Sequence, residues 1–362
     1  MNFGVPKELP PFKDTQEFRV GLSPMGVHEL VLLGAKVYIE SKAGDGADFS
    51  DTEYESAGGI IVYSKDEAYR RADIVLKVRR PQQDEYSCIK EGQVIMGFMH
   101  LITARKEFLQ MIMDKKITLL GYEIIQKEDG RLPIVIPMSE LAGRLSTQLA
   151  ARLLESPGGG RGILLGGVPG IPPADVVILG AGTLGYNAAQ SFASIGANVY
   201  VMDINRDKLD YLAAHTAGMK ITTVFAMKNN IERYLKAASV LIGAVLVSGR
   251  RSPVLVTKEM VKTMPKGSVI IDFSIDQGGC VETSKISPDG KFIYAVDGVI
   301  HFCMPNATTL VARTATHTIT SSIFPYLKII TESGFEQALH ENRDLQRGIY
   351  AENGTIKKEY LA

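Results

Sequence analysis

The chain has 362 residues, with 40 Lys+Arg against 40 Asp+Glu and a formal net charge of +0. Hydrophobic residues make up 45% and charged residues 22%, which excludes a disordered, fibrous or collagen-like chain. The even charge gives no global attraction to nucleic acid or to an anionic membrane. The nearest local basic patch, Arg70-Arg71 with Arg79-Arg80, reads more simply as a solvated face. A length near twice the usual domain size predicts two domains.

Met1-Asn2-Phe3-Gly4-Val5-Pro6 carries no charged leader region, which predicts no secretory signal. No apolar run approaches the about 20 residues that span a bilayer. Cys88, Cys280 and Cys303 are odd in number and at no metal-ligand spacing, and the six histidines form no His-x-x-x-His pair. We therefore expect no disulfide framework, no metal site and a reducing cytoplasm.

In chain order, Phe3-Gly4-Val5 and Ala35 to Ile39 read as strands around a helix that starts at Ser23-Pro24, where Ser caps and Pro fits the first turn. Asp73 to Val78 follows a helix that starts at Ser64, and Gln93 to His100 and Thr118 to Tyr122 complete the first set. Strand and helix in that rhythm predict a mostly parallel sheet with helices on its faces. A long helix is expected from Ser139 to Leu154, with Leu141, Leu145, Leu149 and Leu153 on one stripe. Ser156 to Pro173, with seven Gly and four Pro, reads as linker, within which Ile163 to Val168 is a candidate hairpin with a Gly-Gly turn.

A second series runs through Asp175 to Leu179, Asn198 to Met202, Val240 to Gly243 and Val269 to Phe273. These runs are continuously apolar, as parallel strands buried on both faces must be. From Arg313 the tail reads as helix, interrupted or bent at Phe324-Pro325-Tyr326. With no strand partner of its own, it is expected to pack on the first domain. The fold class predicted is α/β, two Rossmann-like doubly wound domains with a catalytic cleft between them. The substrate domain would take residues 1–134 and 313–362, and the cofactor domain 135–312.

Gly180-Ala181-Gly182-Thr183-Leu184-Gly185 is G-x-G-x-x-G between an apolar strand and a helix, the context that gives the motif meaning. Gly180 allows the turn, Gly182 lets the backbone approach a pyrophosphate, and Gly185 lets helix and strand pack. The helix N-terminus faces the phosphates. Asp203 ends the next strand, where a carboxylate accepts both ribose hydroxyls and repels a 2′-phosphate, favouring NAD over NADP. Arg206 and Lys208 lie nearby.

Taken together, Glu17-Phe18-Arg19-Val20, Leu76-Lys77-Val78, Phe98-Met99-His100-Leu101, Pro137-Met138-Ser139-Glu140, Gly166 to Gly170, Gly180 to Asn187, Ile242 to Leu246 and Ile275 to Cys280 resemble the alanine dehydrogenase family. That family shares its fold with the NAD-binding subunit of nicotinamide nucleotide transhydrogenase. The resemblance implies that Arg19 and Lys77 hold the substrate and that His100 and Asp276 transfer protons. It also implies that Ser139, Asp203, Val245, Leu246 and Asn306 line the NAD site. By the same resemblance the protein would be a homo-oligomer, a hexamer, with the hairpin and the long helix at subunit contacts. Alanine and pyruvate would be the substrates. Another amino or keto acid, or a transhydrogenase-type role, is the alternative.

The residue chemistry agrees with those roles. An amino acid's carboxylate needs a fixed cation, and Arg binds it bidentately. Hydrolysis of the imine needs an acid/base of near-neutral pKa. Each residue has a plainer reading: Arg19 a surface charge, His100 a core histidine, Asp276 a turn residue. Lys77 is harder to dismiss, because a lone buried ammonium is costly. The chain departs from the family at Asn306-Ala307-Thr308, where Asn-Met-Pro is usual, at Lys285 in place of Arg, and at Arg79-Arg80 in place of a basic–acidic pair. The first of these bears on substrate identity.

Overall fold

The computed structural model describes residues 1–10, 15, 17–245, 251–287, 290–357 and 360. Met1–Pro11, Thr15–Met138 and Thr309–Ala362 make one compact unit, and Ser139–Thr308 belongs to the other.

In the first unit β1 (Asn2–Val5), α1 (Pro24–Leu32), β2 (Lys36–Glu40), α2 (Asp51–Ser56) and β3 (Ile60–Val62) come first. They are followed by α3 (Lys65–Arg70), β4 (Ile74–Arg79), β5 (Val94–Phe98), α4 (Lys106–Asp114) and β6 (Thr118–Gly121). The caps expected at Ser23 and Ser64 are made: their hydroxyls accept from Gly26 N at 3.4 Å and Glu67 N at 3.2 Å. Each satisfies an orphan N–H of the first turn. The strands are parallel in the order β3-β2-β1-β4-β5-β6, so the chain winds outward from β1, returns to β4 and winds outward again. That is double winding, with a switch point between β1 and β4.

The long helix α5 spans Val135–Leu153 and so begins a turn earlier than expected. Pro137 lies in its first turn, where a missing N–H is no loss. The second unit continues with β7 (Asp175–Leu179), α6 (Thr183–Ser194), β8 (Asn198–Asp203), α7 (Arg206–His215), β9 (Ile221–Phe225) and α8 (Lys228–Leu235). Next come β10 (Val240–Gly243), α9 (Lys258–Thr263), β11 (Val269–Asp272), β12 (Ile293–Val296) and β13 (Val299–Phe302). Its sheet has the order β12-β13-β11-β10-β7-β8-β9, parallel except for β12, with a switch point between β7 and β10. Val176, Val177, Ile178, Leu179, Leu241, Ile242, Ile270 and Ile271 are fully buried. Each contributes about 1.5–3 kcal/mol by leaving water.

The chain then returns to the first unit with α10 (Ala312–Ser333), α11 (Phe335–Glu341), α12 (Arg343–Arg347), β14 (Ile349–Glu352) and β15 (Thr355–Ile356). One expectation fails here, and of the two outcomes expected at Pro325 interruption does not occur. The tail does have a strand partner, because β14 pairs antiparallel with β6 and β15 antiparallel with β14, which extends that sheet to eight strands. And α10 runs on through Pro325; the fully buried stripe of Ile319, Ile323, Leu327 and Ile330 offsets the lost hydrogen bond.

The Gly-Gly hairpin also fails. A single bridge joins Val168 and Ile171, enclosing Pro169-Gly170 instead. Gly166 serves close approach, since a Cβ there would stand 2.2 Å from Ile195 O. Among the described residues no helix is long and apolar enough to cross a membrane.

Candidate active site

In a doubly wound sheet the crevice forms beyond the carboxyl ends of the strands at the switch point. In the first unit Gly4 pairs with Val75, so Lys77 on β4 stands just past the end of β1, and Glu8 follows β1 in the same place. Lys77 is fully buried and its Nζ lies 2.6 Å from Glu85 Oε1 and 3.3 Å from Glu8 Oε2. Tyr69 OH donates to Glu85 Oε1 at 2.8 Å, and Val78 N to Glu8 Oε1 at 2.6 Å. Burial pushes the Glu8 carboxyl up to about 7 against the pull of the Lys77 charge. Burial opposes the Lys77 charge too, yet Glu8 and Glu85 together hold its pKa above the ordinary lysine value.

Arg19 is 3% exposed, not a surface charge. Its Nε and Nη2 each donate to Glu17 across 2.7 Å, a bidentate pair that fixes the guanidinium plane. Burial raises the cost of ionising Glu17, but the Arg19 and Arg79 charges more than offset it and hold the carboxyl below its usual range. The irregular segment around Arg19 takes its backbone partners from one row of threonines. Phe18, Val20 and Ser23 N donate to the hydroxyls of Thr309, Thr316 and Thr320, the last two on α10. A Cβ on Gly21 would stand 2.3 Å from Leu76 O, so this segment lies hard against the strand that carries Lys77.

His100 follows β5 and turns the chain with φ +42°, a left-handed conformation uncommon outside glycine. Its side chain is 53% exposed, which rules out the core-histidine reading. The ring stacks on Phe98 with centroids 6.2 Å apart. Glu123 accepts from His100 N and from Met99 N and lies 3.9 Å from the imidazole Nδ1.

In the second unit the three glycines of the βα turn have three separate reasons. Gly180 has φ +106°, closed to other residues, and a Cβ on Gly185 would stand 1.8 Å from Gly180 O. A Cβ on Gly182 would meet no protein atom within 4 Å, so protein packing does not demand glycine there. A ligand backed against the turn at the N-terminus of α6 would demand it, as a dinucleotide pyrophosphate would. Asp203 ends β8, its Oδ2 accepting from Ala181 N at 2.7 Å and its Oδ1 from Asn205 N at 2.8 Å. Lys208 is exposed on α7. Val245 follows β10, its N donating to Ser274 Oγ at 3.1 Å. Ser139 is half-buried within α5, and Leu246 lies outside the described residues.

Asp276 is exposed on a 3-10 turn, Phe273–Gln277, just after β11. Asp272 clamps that loop: its carboxylate accepts from Ser274, Cys280 and Val281 N at 3.0–3.3 Å. Asn306, itself left-handed at φ +53°, donates its N to Asp276 Oδ2 at 3.4 Å. Ala307 is buried in the second unit's core.

The first unit thus gathers Arg19 and Lys77 with carboxylates that sequence reasoning did not single out as site residues: Glu8, Glu17 and Glu85. It also sets Glu123 and Arg80 beside His100. The available signals were weak. Glu17 stands two residues before Arg19, and a buried Lys77 demanded some counter-charge. Nor are Arg79-Arg80 a solvated face, because Arg80 donates to three backbone carbonyls of the His100 turn.

Two doubly wound units, one built around a phosphate-binding glycine turn and the other around buried cations at its switch point, define a nucleotide-binding α/β protein of the dehydrogenase class. The chain belongs to the alanine dehydrogenase/PNT family: the N-terminal domain model matches residues 4–142 and the C-terminal domain model residues 146–359. It is 42% identical to an alanine dehydrogenase of Methanococcus maripaludis, covering 100% of this chain and 96% of that one. To an alanine dehydrogenase of Mycobacterium tuberculosis it is 39% identical over the same shares. A solved L-alanine dehydrogenase superposes with a TM-score of 0.92 at 41% identity, covering 98% of this chain and 96% of that one. A transhydrogenase from Sinorhizobium meliloti, TM-score 0.84 at 23% identity over 99% of this chain and 100% of that one, shares the fold.

Proposed function

We propose that this chain catalyses the oxidative deamination of L-alanine to pyruvate and ammonia with NAD, and the reverse reductive amination. Bound NAD supplies the acceptor for the hydride that leaves the amino acid's Cα. Gly180, Gly182 and Gly185 hold its pyrophosphate and Asp203 its adenosine ribose, while Ser139, Lys208, Val245, Leu246 and Asn306 line the rest of its site. Arg19, oriented by Glu17, binds the substrate carboxylate. Lys77 has three N–H donors. Glu85 and Glu8 engage two, and we assign the third to the substrate's carbonyl or carbinolamine oxygen. His100 and Asp276 add water to the imine and carry the proton to ammonia.

The observation that carries this reading is the pair of cations, Arg19 and Lys77, buried at the first unit's switch point with every described charge on them matched by a carboxylate. Charges so costly to bury are retained where a charged substrate group must be met. Exposed Leu164, Val168 and Ile171 beside the Pro169-Gly170 turn support a homo-oligomer, and by family resemblance a hexamer. Light scattering then gives a mass six times 39.5 kDa. The free thiols Cys88, Cys280 and Cys303 support a cytoplasmic setting.

The test is NADH formation with a panel of L-amino acids and NADH consumption with ammonia and a panel of keto acids. Alanine and pyruvate are expected to lead. A bulkier pair leading would reassign the substrate to the altered Asn306-Ala307-Thr308 segment. His100→Ala is expected to lose turnover and keep NAD affinity, and an active His100→Ala variant sinks that residue's role.

A further inference from the structure

We propose that Arg80 is a positioning residue for His100, its guanidinium and the Glu123 carboxylate gripping opposite sides of the turn that carries the imidazole. The inference rests on the assignment of His100 to proton transfer.

His100 sits in the left-handed region at φ +42° and ψ +57°, a conformation unfavourable for a non-glycine residue that persists only where the surroundings impose it. The surroundings here are two opposite charges. On the carbonyl side, Arg80 Nη1 donates to Met99 O at 3.1 Å and His100 O at 2.8 Å, and Nη2 donates to Thr103 O at 2.9 Å. Nη1 also reaches Thr103 Oγ1 at 3.2 Å. On the amide side, Glu123 accepts from Met99 N and His100 N, and is itself held by Tyr350 OH at 2.9 Å. The cation therefore faces carbonyl oxygens and the anion faces N–H groups, so both charges favour the same setting of the turn.

Among the described residues no hydrogen bond holds the imidazole itself. Its described neighbours are the stacked Phe98 ring and Glu123 at 3.9 Å. The direction of the ring therefore depends on the backbone of residues 99–103, which Arg80 holds from the carbonyl side and Glu123 from the amide side. Only a planar fork reaches carbonyls three residues apart with two nitrogens at once; a lysine offers a single point. Arg80 is fixed in turn because it directly follows β4, its own N donating to Phe98 O at 3.2 Å.

The experiment compares Arg80→Ala, Arg80→Lys and His100→Ala in the full-length protein, measuring kcat, KM for alanine, Kd for NAD and thermal stability. Arg80→Ala is expected to lower kcat at least about tenfold, with KM and Kd held within about twofold, since misplacing a catalytic group taxes the chemical step. Guanidinium ion in the assay is expected to restore part of the kcat of Arg80→Ala and none of that of His100→Ala. Arg80→Lys should fall between, and it carries the test if the alanine variant does not fold. Wild-type kcat in the Arg80 variants beside an inactive His100→Ala overturns the proposal and leaves the role of His100 standing. So does a kcat loss that tracks thermal stability and ignores guanidinium. An active His100→Ala overturns both.

Discussion

Lys77 shows most directly how one residue's surroundings decide its chemistry. It is the cation in an otherwise apolar run, Ile74-Val75-Leu76-Lys77-Val78, and the cost of burying a lone ammonium marked it from the sequence. Its partners were not legible, because Glu8 comes from the segment after β1 and Glu85 from the 3-10 helix Gln83–Cys88, and they meet it only through space. Removing Lys77 leaves two buried carboxylates facing each other. Lys77→Met is expected to cost about 3–5 kcal/mol at pH 7, with the deficit shrinking as pH falls and the Glu8 carboxyl takes up a proton. Urea unfolding at several pH values checks it. In the wild type, burial raises the folded Glu8 pKa to about 7, above the ordinary carboxylate value of 4.5. Its contribution to stability is therefore full below about 4.5 and lost as pH rises through about 7. Glu8→Gln should flatten that slope; an unchanged slope refutes the assignment.

At the scale of elements, two segments without regular strand or helix are held by regular neighbours. The stretch carrying Arg19 hangs on the threonines of α10 and its approach. Thr316→Val would strip the partner from the buried Val20 N–H and cost about 1–3 kcal/mol. KM for alanine should rise with NAD affinity kept; unchanged KM would separate the threonine row from Arg19. The βα turn gives a sharper contrast. Gly185→Ala drives a Cβ into Gly180 O and should cost about 3 kcal/mol as well as NAD binding. Gly182→Ala meets open space, so stability should stay within about 1 kcal/mol while NAD affinity falls. Thermal unfolding and titration calorimetry read the two effects apart, and equal losses in both variants would contradict the separate reasons given for the two glycines. The turn was legible because its spacing is local. The threonine row was not, since Thr309, Thr316 and Thr320 serve a segment almost the whole chain away.

Across the whole molecule the same winding occurs twice. Each sheet has a switch point, between β1 and β4 in one unit and β7 and β10 in the other. One holds buried cations and carboxylates, the other a glycine turn and the carboxylate of Asp203. Under the proposed function the first unit supplies Arg19, Lys77 and His100 and the second supplies the cofactor turn together with Asp276, and variants should sort accordingly. Saturating NAD at about 100 times its Kd should stabilise the protein by about 2.7 kcal/mol. Calorimetry should show that gain undiminished in His100→Ala and lost in Gly185→Ala. Loss in both would tie His100 to the cofactor.

The sequence by itself determined what is local or periodic: the capped starts at Ser23 and Ser64, the apolar parallel strands, the G-x-G-x-x-G turn with Asp203, and the oddity of Lys77. Those features follow from neighbours a few residues apart, where backbone geometry and burial act directly. Only the tertiary structure decided the pairing of β14 with β6, the bridge around Pro169-Gly170, the bidentate pair of Arg19 with Glu17 and the grip of Arg80 on the His100 turn. Each depends on which distant groups end up within hydrogen-bonding reach. A carboxylate along the chain carries no mark of the cation it will meet, because that pairing is settled by the packing of sheets and helices.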